Sequence, residues 1–442
     1  MSSVQGATGS QPGARFQWPA RRWTWLSPVM FGLMAAPAGA DPSMAPDAPV
    51  RVEAAATTPN LGYLEPFPAS ANPYSVQSAD LNGDGLADLA VSGAGAVTVL
   101  LNTSPENAES SSFTAGVPFA TGSNPHALDL VDLNADGKPD LATANNSGSS
   151  VSVLLNTTAA GAATPAFAAQ QSFGVASDSE GLTHADINLD GKPDLIAIST
   201  SFSKVSVLLN TTPPGAATPT FAAQQAFGAS TPAYNIAAAD LNDDGLPDLV
   251  VCIDTGPITI NTYLNTTAPG SATVSFSGQP FNFGAGLDFA LSSLAIIDIN
   301  ADGKPDVVGV GLGAKVLVLL NTTASHATSV TFATPQAITL TSGLSFVIAA
   351  DLDNDGKDDV VVANTSDKTV SVLLNTTAQN AATASFAAPL SFPSGNYPRS
   401  LASADFNADG RLDVVDANLT GTTVSVLLNS PPSSSVFANG FE

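Results

Sequence analysis

Seven times along this chain an aspartate begins the phrase Asp-x-Asn/Asp-x-Asp-Gly-x-x-Asp. Side-chain oxygens at positions 1, 3, 5 and 9, the backbone carbonyl of position 7 and a turn-permitting Gly at 6 form the oxygen donor set that a hard cation such as Ca²⁺ requires. The copies supply Asp80, Asn82, Asp84, Leu86 and Asp88; Asp132, Asn134, Asp136, Lys138 and Asp140; Asp186, Asn188, Asp190, Lys192 and Asp194; Asp240, Asn242, Asp244, Leu246 and Asp248; Asp298, Asn300, Asp302, Lys304 and Asp306; Asp351, Asp353, Asp355, Lys357 and Asp359; and Asp405, Asn407, Asp409, Arg411 and Asp413. An EF-hand would need flanking helices and a Glu at position 12, but that place holds Val91, Thr143 or Val362 inside apolar, β-branched runs. The phrase therefore predicts up to seven calcium loops set between strands. A lone copy would pass for an ordinary Asp/Asn/Gly turn; seven in register do not.

The charge balance follows from these loops. The chain of 442 residues carries a net charge of −25, mostly from Asp. Carboxylates about 4 Å apart repel by a few kcal/mol at an effective dielectric near 20, so the loops resist closing without a cation. Such acidity excludes nucleic acid as a partner, which would demand a basic patch. The single Cys252 allows no internal disulfide and reads as a small buried apolar residue.

The loops recur every 52 to 58 residues, the length of one supersecondary unit that must stack on its neighbours to bury its apolar face. In the third copy, Leu182 to Ala185 leads into Asp186–Asp194. Leu195 to Ile198 follows, then Val205 to Leu209 ending at Asn210-Thr211-Thr212, then Phe221 to Phe227. Four short β-rich runs per repeat without helical period predict a propeller blade. The fold class is all-β: a seven-bladed β-propeller with a calcium loop in each blade.

An aromatic stands 19 or slightly more residues before six of the loops, at Phe113, Phe167, Phe221, Phe276, Phe332 and Phe386, where it opens the fourth strand of the preceding blade. For the first loop that place is Leu61, and Leu61-Gly-Tyr-Leu-Glu-Pro-Phe67 parallels Phe113-Thr-Ala-Gly-Val-Pro-Phe119. An orphan fourth strand at 61–67 would complete the last blade and remove two sheet edges; Val436-Phe437-Ala438 is the competing segment. The expected organisation is a signal peptide at 1–40, a flexible linker at 41–60, the propeller at 61–429 and a C-terminal tail at 430–442. The leader reading rests on Arg15, Arg21 and Arg22, the apolar run Trp23 to Ala36 and the small-x-small site Ala38-Gly39-Ala40. It implies a secreted or cell-surface protein, with the periplasm as an alternative and no membrane span in the mature chain, which we expect to be a monomer.

The loops, the apolar strand after each, and the pairs Phe173-Gly174, Phe227-Gly228 and Phe283-Gly284 resemble the FG-GAP or VCBS-type repeats of bacterial surface proteins and of the integrin alpha-subunit propeller. The resemblance covers about Leu61 to Asn429. It implies a calcium-loaded scaffold for adhesion or binding and specifies no ligand. It departs from integrin-like propellers in carrying the motif in all seven blades rather than four or fewer.

Six residues before each loop stand Tyr74, His126, Glu180, Tyr234, Ser292, Ser345 and Arg399. Polar and aromatic variation at one fixed place of a repeated frame is what a binding ring shows, and the face opposite the loops is the expected site for a protein or glycan ligand through Tyr74, His126, Glu180, Tyr234 and Arg399. His126, His184 and His326 fall at different blade positions, which supports neither a zinc site nor a catalytic triad. Asn-Thr-Thr recurs at Asn156, Asn210, Asn265, Asn321 and Asn375 in a register that reads as a turn rather than a glycosylation signal. The expected function is a non-enzymatic adhesion or ligand-binding module. The rivals are a polysaccharide-active lyase or hydrolase, disfavoured by the scarcity of Lys, Arg and His, and a structural spacer.

Overall fold

The second strand of a repeat reads Asp-Leu-Ala-Val or Asp-Val-Val-Val with no polar face, because blades stack on both of its sides; all six residues of Asp88–Gly93 and of Asp359–Asn364 are buried. The outer strands, such as Val117–Ala120, alternate half-buried and exposed instead. A computed structural model of the protein describes residues 58–430 except 203, 230–232, 254–258, 283–290, 312 and 342. The expected leader at 1–40, most of the linker at 41–60, the tail from 431, the pair Phe283-Gly284 and the rival segment Val436 to Ala438 lie outside the described residues.

Those residues form seven four-stranded antiparallel sheets and no helix, so none of them is in a helix long and apolar enough to cross a membrane. In the first blade the order is Ser75–Ala79, Asp88–Gly93, Ala96–Leu100, Val117–Ala120, and the next five follow the same sequential order. The innermost strands are Ser75–Ala79, Pro125–Val131, Ser179–Ala185, Ala233–Ala239, Leu291–Ile297, Leu344–Ala350 and Pro398–Ala404; each touches the next and the last touches the first, closing a ring. The core lies between blades. Ile187, Ile196 and Ile198 of the third blade, for example, pack against Ala233, Ile236, Leu249 and Val251 of the fourth. Each Ile, Leu or Val among them, when fully buried, contributes roughly 1.5–3 kcal/mol.

The seventh sheet combines Pro398–Ala404, Asp413–Asn418 and Thr423–Asn429 with Leu61–Pro68 from the other end of the chain. Leu61 faces Asn429 and the ladder runs on to Pro68 opposite Thr423. The Leu61 pairing repeats the bridge of Phe113 to Asn102 in the first blade. Only Phe276 opens a regular strand, Phe276–Asn282. Phe113, Phe167, Phe221, Phe332 and Phe386 instead make one isolated bridge each, and the ladder breaks before the regular outer strand begins at Val117, Gln171, Gln225, Gln336 and Leu390. The rings of Phe113, Phe167, Phe221 and Phe332 pack edge-on against a phenylalanine of a neighbouring outer strand, as Phe113 does on Phe67 and Phe167 on Phe119, with centroids 4.9 Å apart.

Candidate functional site

The sharp turn inside each nine-residue loop requires a left-handed residue. The Gly at position 6 supplies it in all seven, with φ between 84° and 90°. That turn folds the backbone around the carboxylates. The position-1 Asp accepts the N–H of this Gly at 2.7–2.9 Å in every loop. The position-5 Asp accepts the N–H of position 7, from Leu86, Lys138, Lys192, Leu246, Lys304, Lys357 or Arg411, at 2.8–3.1 Å. The position-9 Asp is buried and accepts two amides. One is the N–H of position 2, at 2.8–3.0 Å. The other is the N–H of the Asn that ends the third strand, at 2.6–2.8 Å.

Burial pushes all seven of these last carboxyls, Asp88, Asp140, Asp194, Asp248, Asp306, Asp359 and Asp413, up to about 7; the two amides pull back and nearby loop carboxylates push further up. Burial likewise raises Asp240, Asp298, Asp351 and Asp353 above the usual carboxylate range. The loops are thus negatively charged and partly desolvated, a state that a bound cation would relieve. Oδ1 of Asn188, Asn242 and Asn407 at position 3, and Oδ1 of Asp351 at position 1, are buried with no hydrogen-bond partner. Orphaned buried acceptors in the same small loop are a feature that ligation of a hard cation explains, so the donor set fits Ca²⁺.

The Asn after the third strand had the look of a turn residue in the sequence, and its larger role was not legible there. Asn210 donates to Pro193 O of its own blade at 3.0 Å and to Leu133 O of the preceding blade at 2.9 Å, and its Oδ1 accepts from Thr212 N at 2.9 Å. Asn102, Asn156, Asn265, Asn321 and Asn375 repeat the pattern. In the last blade Asn429 donates to Leu352 O and Leu412 O, while Asn60 N takes the place of the local amide at 3.1 Å. These side chains, at most 2% exposed, bind each loop to the next and leave no room for a glycan. Only their fixed register hinted at this.

On the opposite face, the residue six places before the loop sits at a register shift of the inner strand in blades two to seven, at His126, Glu180, Tyr234, Ser292, Ser345 and Arg399. Such bulges re-aim a side chain. Four of the expected ring residues converge. Tyr74 O–H donates to Glu180 Oε2 at 2.8 Å, His126 Nδ1 lies 2.8 Å from the same oxygen, and Asn146 Nδ2 donates to Glu180 Oε1 at 3.0 Å. Arg399 donates to the Tyr74 hydroxyl at 2.6 Å. The Tyr74 ring stacks on His126 at 3.7 Å, and the Arg399 guanidinium stands 4.7 Å from the Tyr74 centroid. Two groups already occupy Tyr74, so its ring is a keystone of the cluster rather than an open stacking surface. Tyr234 packs instead on the apolar cluster between blades four and five, and Ser292 and Ser345 donate to Ser345 O and Pro398 O. Burial, as the leading cause, pushes the Tyr74 hydroxyl up to about 12, with Arg399 pulling down and Glu180 pushing up. Two exposed aromatics escaped the register argument: Tyr397, two residues before Arg399, and Phe202, in the turn after Asp194–Ser199.

A family profile described as FG-GAP-like repeat matches residues 80–143, 132–197, 186–251, 298–362 and 351–415, more than half of the chain. No curated protein matches. Among solved structures, a crystal structure of BBS1N in complex with ARL6DN, soaked with lead, is similar with a TM-score of 0.53 at 12% identity, covering 84% of this chain and 97% of that one. A crystal structure of Saccharomyces cerevisiae Sqt1 gives a TM-score of 0.49 at 11% identity, covering 83% and 98%. The first of these likenesses concerns the fold alone.

Proposed function

The chain belongs to the FG-GAP-like repeat family, and from that premise we propose that it is a calcium-stabilised propeller, secreted or displayed at the cell surface, acting as a non-enzymatic binding module for a protein or glycan. The observation that carries the calcium reading is the seven-fold recurrence of one oxygen-lined loop, with buried oxygens left orphaned in four copies. Bound Ca²⁺ would neutralise the loop carboxylates. The positions that would hold it are 1, 3, 5, 7 and 9 of each copy, from Asp80–Asp88 to Asp405–Asp413. At ~1 mM calcium and sites of ~10⁻⁴ M, each loop would add about 1.4 kcal/mol by mass action. Seven additive sites would approach ~10 kcal/mol, comparable with a domain's whole stability. The test is calorimetry of the calcium-loaded and exhaustively chelated protein. A fall in Tm on the order of 10 °C or more is expected, and an unchanged transition would overturn the reading.

The opposite face supports ligand binding better than the loop face does, because its residues differ from blade to blade and Tyr397 stands exposed beside the Arg399 cluster. A glycan array and a secreted-protein panel, probed with and without chelator, would separate a binder from a spacer. One observation favours a second reading: Tyr74, His126, Glu180 and Arg399 join a phenol, an imidazole, a carboxylate and a guanidinium in one cluster, as a lyase of acidic polysaccharides would need. The raised Tyr74 hydroxyl is a poor base at neutral pH, which weighs against it. Product analysis on acidic glycans decides: chain cleavage abolished by Tyr74→Phe would establish an enzyme.

A further inference from the structure

On the face opposite the loops, the residue two places before the ring position has a positive φ in every blade where it is described. It is Asn72 at 52°, Asn124 at 57°, Asp178 at 58° and Gly343 at 84°, residue types that enter the left-handed region at little cost. In the seventh blade the same place holds Tyr397 at 61°. A bulky side chain is strained there, and Tyr397 gains little burial in return, being 43% exposed. Strain of this kind persists at sites that use it.

Arg399, two residues on, is the second anomaly. Its guanidinium donates to the Tyr74 hydroxyl at 2.6 Å and stands 4.7 Å from the Tyr74 centroid. Among the described residues no carboxylate lies within 4.0 Å of it. Glu180 belongs to the same cluster, but its two oxygens are met by Tyr74 O–H, His126 Nδ1 and Asn146 Nδ2. Its charge is thus answered without a bond to the arginine. A half-buried guanidinium commonly pairs with a carboxylate through two parallel N–H groups, and here that partner has still to be supplied.

The surroundings restrict what it can be. In blades seven, one and two, the rim segments 69–73, 94–95, 121–125, 146–149, 394–398 and 419–422 are all described and contain no charged residue, in a chain of net charge −25. Asn72, Asn124 and Asn396 stand exposed there instead. Amides match the hydroxyls of a sugar, and the exposed Tyr397 ring matches its apolar face. The molecule as a whole repels an extended polyanion, so a carboxylate presented singly fits best.

Resting on the reading of this face as a glycan-binding surface, we propose that Arg399 and Tyr397 form a subsite for a glycan bearing a single uronic acid. The carboxylate pairs with the Arg399 guanidinium, and the pyranose ring lies on Tyr397.

The test is isothermal titration of the calcium-loaded full chain with glucuronosyl-xylose, which carries one carboxylate, and with its methyl ester, which carries none. The acid should bind at least about tenfold tighter than the ester. Arg399→Gln should erase that difference, and Arg399→Lys, which keeps the charge but loses the planar fork, should retain only part of it. Tyr397→Asn separates binding from folding: affinity for the acid should fall about threefold or more, while Tm holds or rises because Asn tolerates the positive φ. Equal affinity for acid and ester, no uptake of the acid, or acid binding that survives both Arg399→Gln and Tyr397→Asn would overturn this proposal. Capture of a neutral sugar on the glycan array would in that event keep the binding-module reading, whereas an array silent throughout would remove the glycan reading as well.

Discussion

The two faces of the ring treat their polar residues in opposite ways. On the loop face the same carboxylates accept the same amides in every blade, and the Asn staples repeat them around the circle. On the other face the equivalent place passes from Tyr74 to His126, Glu180, Tyr234, Ser292, Ser345 and Arg399, and only some of these meet. Repetition makes small contributions add into stability, whereas variation fixes one particular arrangement at one particular sector. A change on the loop face should therefore register in melting, and a change on the opposite face in recognition.

The largest expected effect breaks the loop face at its seam. Removal of residues 1–68 takes away the outer strand of the last blade and exposes its edge, and should give the steepest fall in Tm by calorimetry. Removal of 1–57 should leave the transition in place. A cut through Asn60 lies between, since it deprives Asn429 Oδ1 of its donor and should cost about 1 kcal/mol. If the deletion through Pro68 melts like the deletion through 57, the pairing of Leu61–Pro68 does not hold the ring. Next in size, Asn210→Ala should cost roughly 3 kcal/mol, because it strands Leu133 O, Pro193 O and Thr212 N in buried surroundings. A loss below 1 kcal/mol in chemical denaturation would remove the Asn staples from the argument.

The third prediction concerns Asp416, buried in the last blade and bonded by Ser394 Oγ at 2.8 Å. Burial, countered in part by Ser394 and the Gly395 amide, pushes its carboxyl up to about 7. Its folded-state pKa lies above the unfolded value, so the stability it contributes is complete below about pH 4 and is lost as pH rises through 7. Asp416→Asn should therefore gain on the parent protein between pH 5 and pH 8 in parallel denaturant melts. A gap that stays constant, or that narrows as pH rises, refutes a buried, readily neutralised carboxyl. The smallest effect on stability, within about 0.5 kcal/mol, is expected for Tyr397→Ala and Phe202→Ala on the opposite face. Either should weaken capture of any glycan or protein ligand found in the binding screens, and unchanged affinity in both would move the binding surface elsewhere.

The loop carboxylates were legible in the sequence because their spacing is local: nine residues suffice to set them around one turn. The blade count and the run of four strands were legible for the same reason. The Asn staples were not, since Asn156 reaches Leu81 O across 75 residues and no local pattern reports a partner in another blade. The ring position could be picked by register, but the bulges that turn its side chains, and the convergence of Tyr74, His126, Glu180 and Arg399 from four blades, exist only once the circle has closed.

The pairing of Leu61 with Asn429 also sets an order of events in time. Among the described strands the earliest in the chain has no partner until the latest exists, and the chain-closure entropy between them must be met before that ladder repays it. Refolding should thus finish at this blade in a slow phase of its own. Until then the waiting strand and the open edge of Thr423–Asn429 can each be claimed by another copy of the chain, so crowded refolding would yield strand-exchanged dimers where dilute refolding yields closed rings.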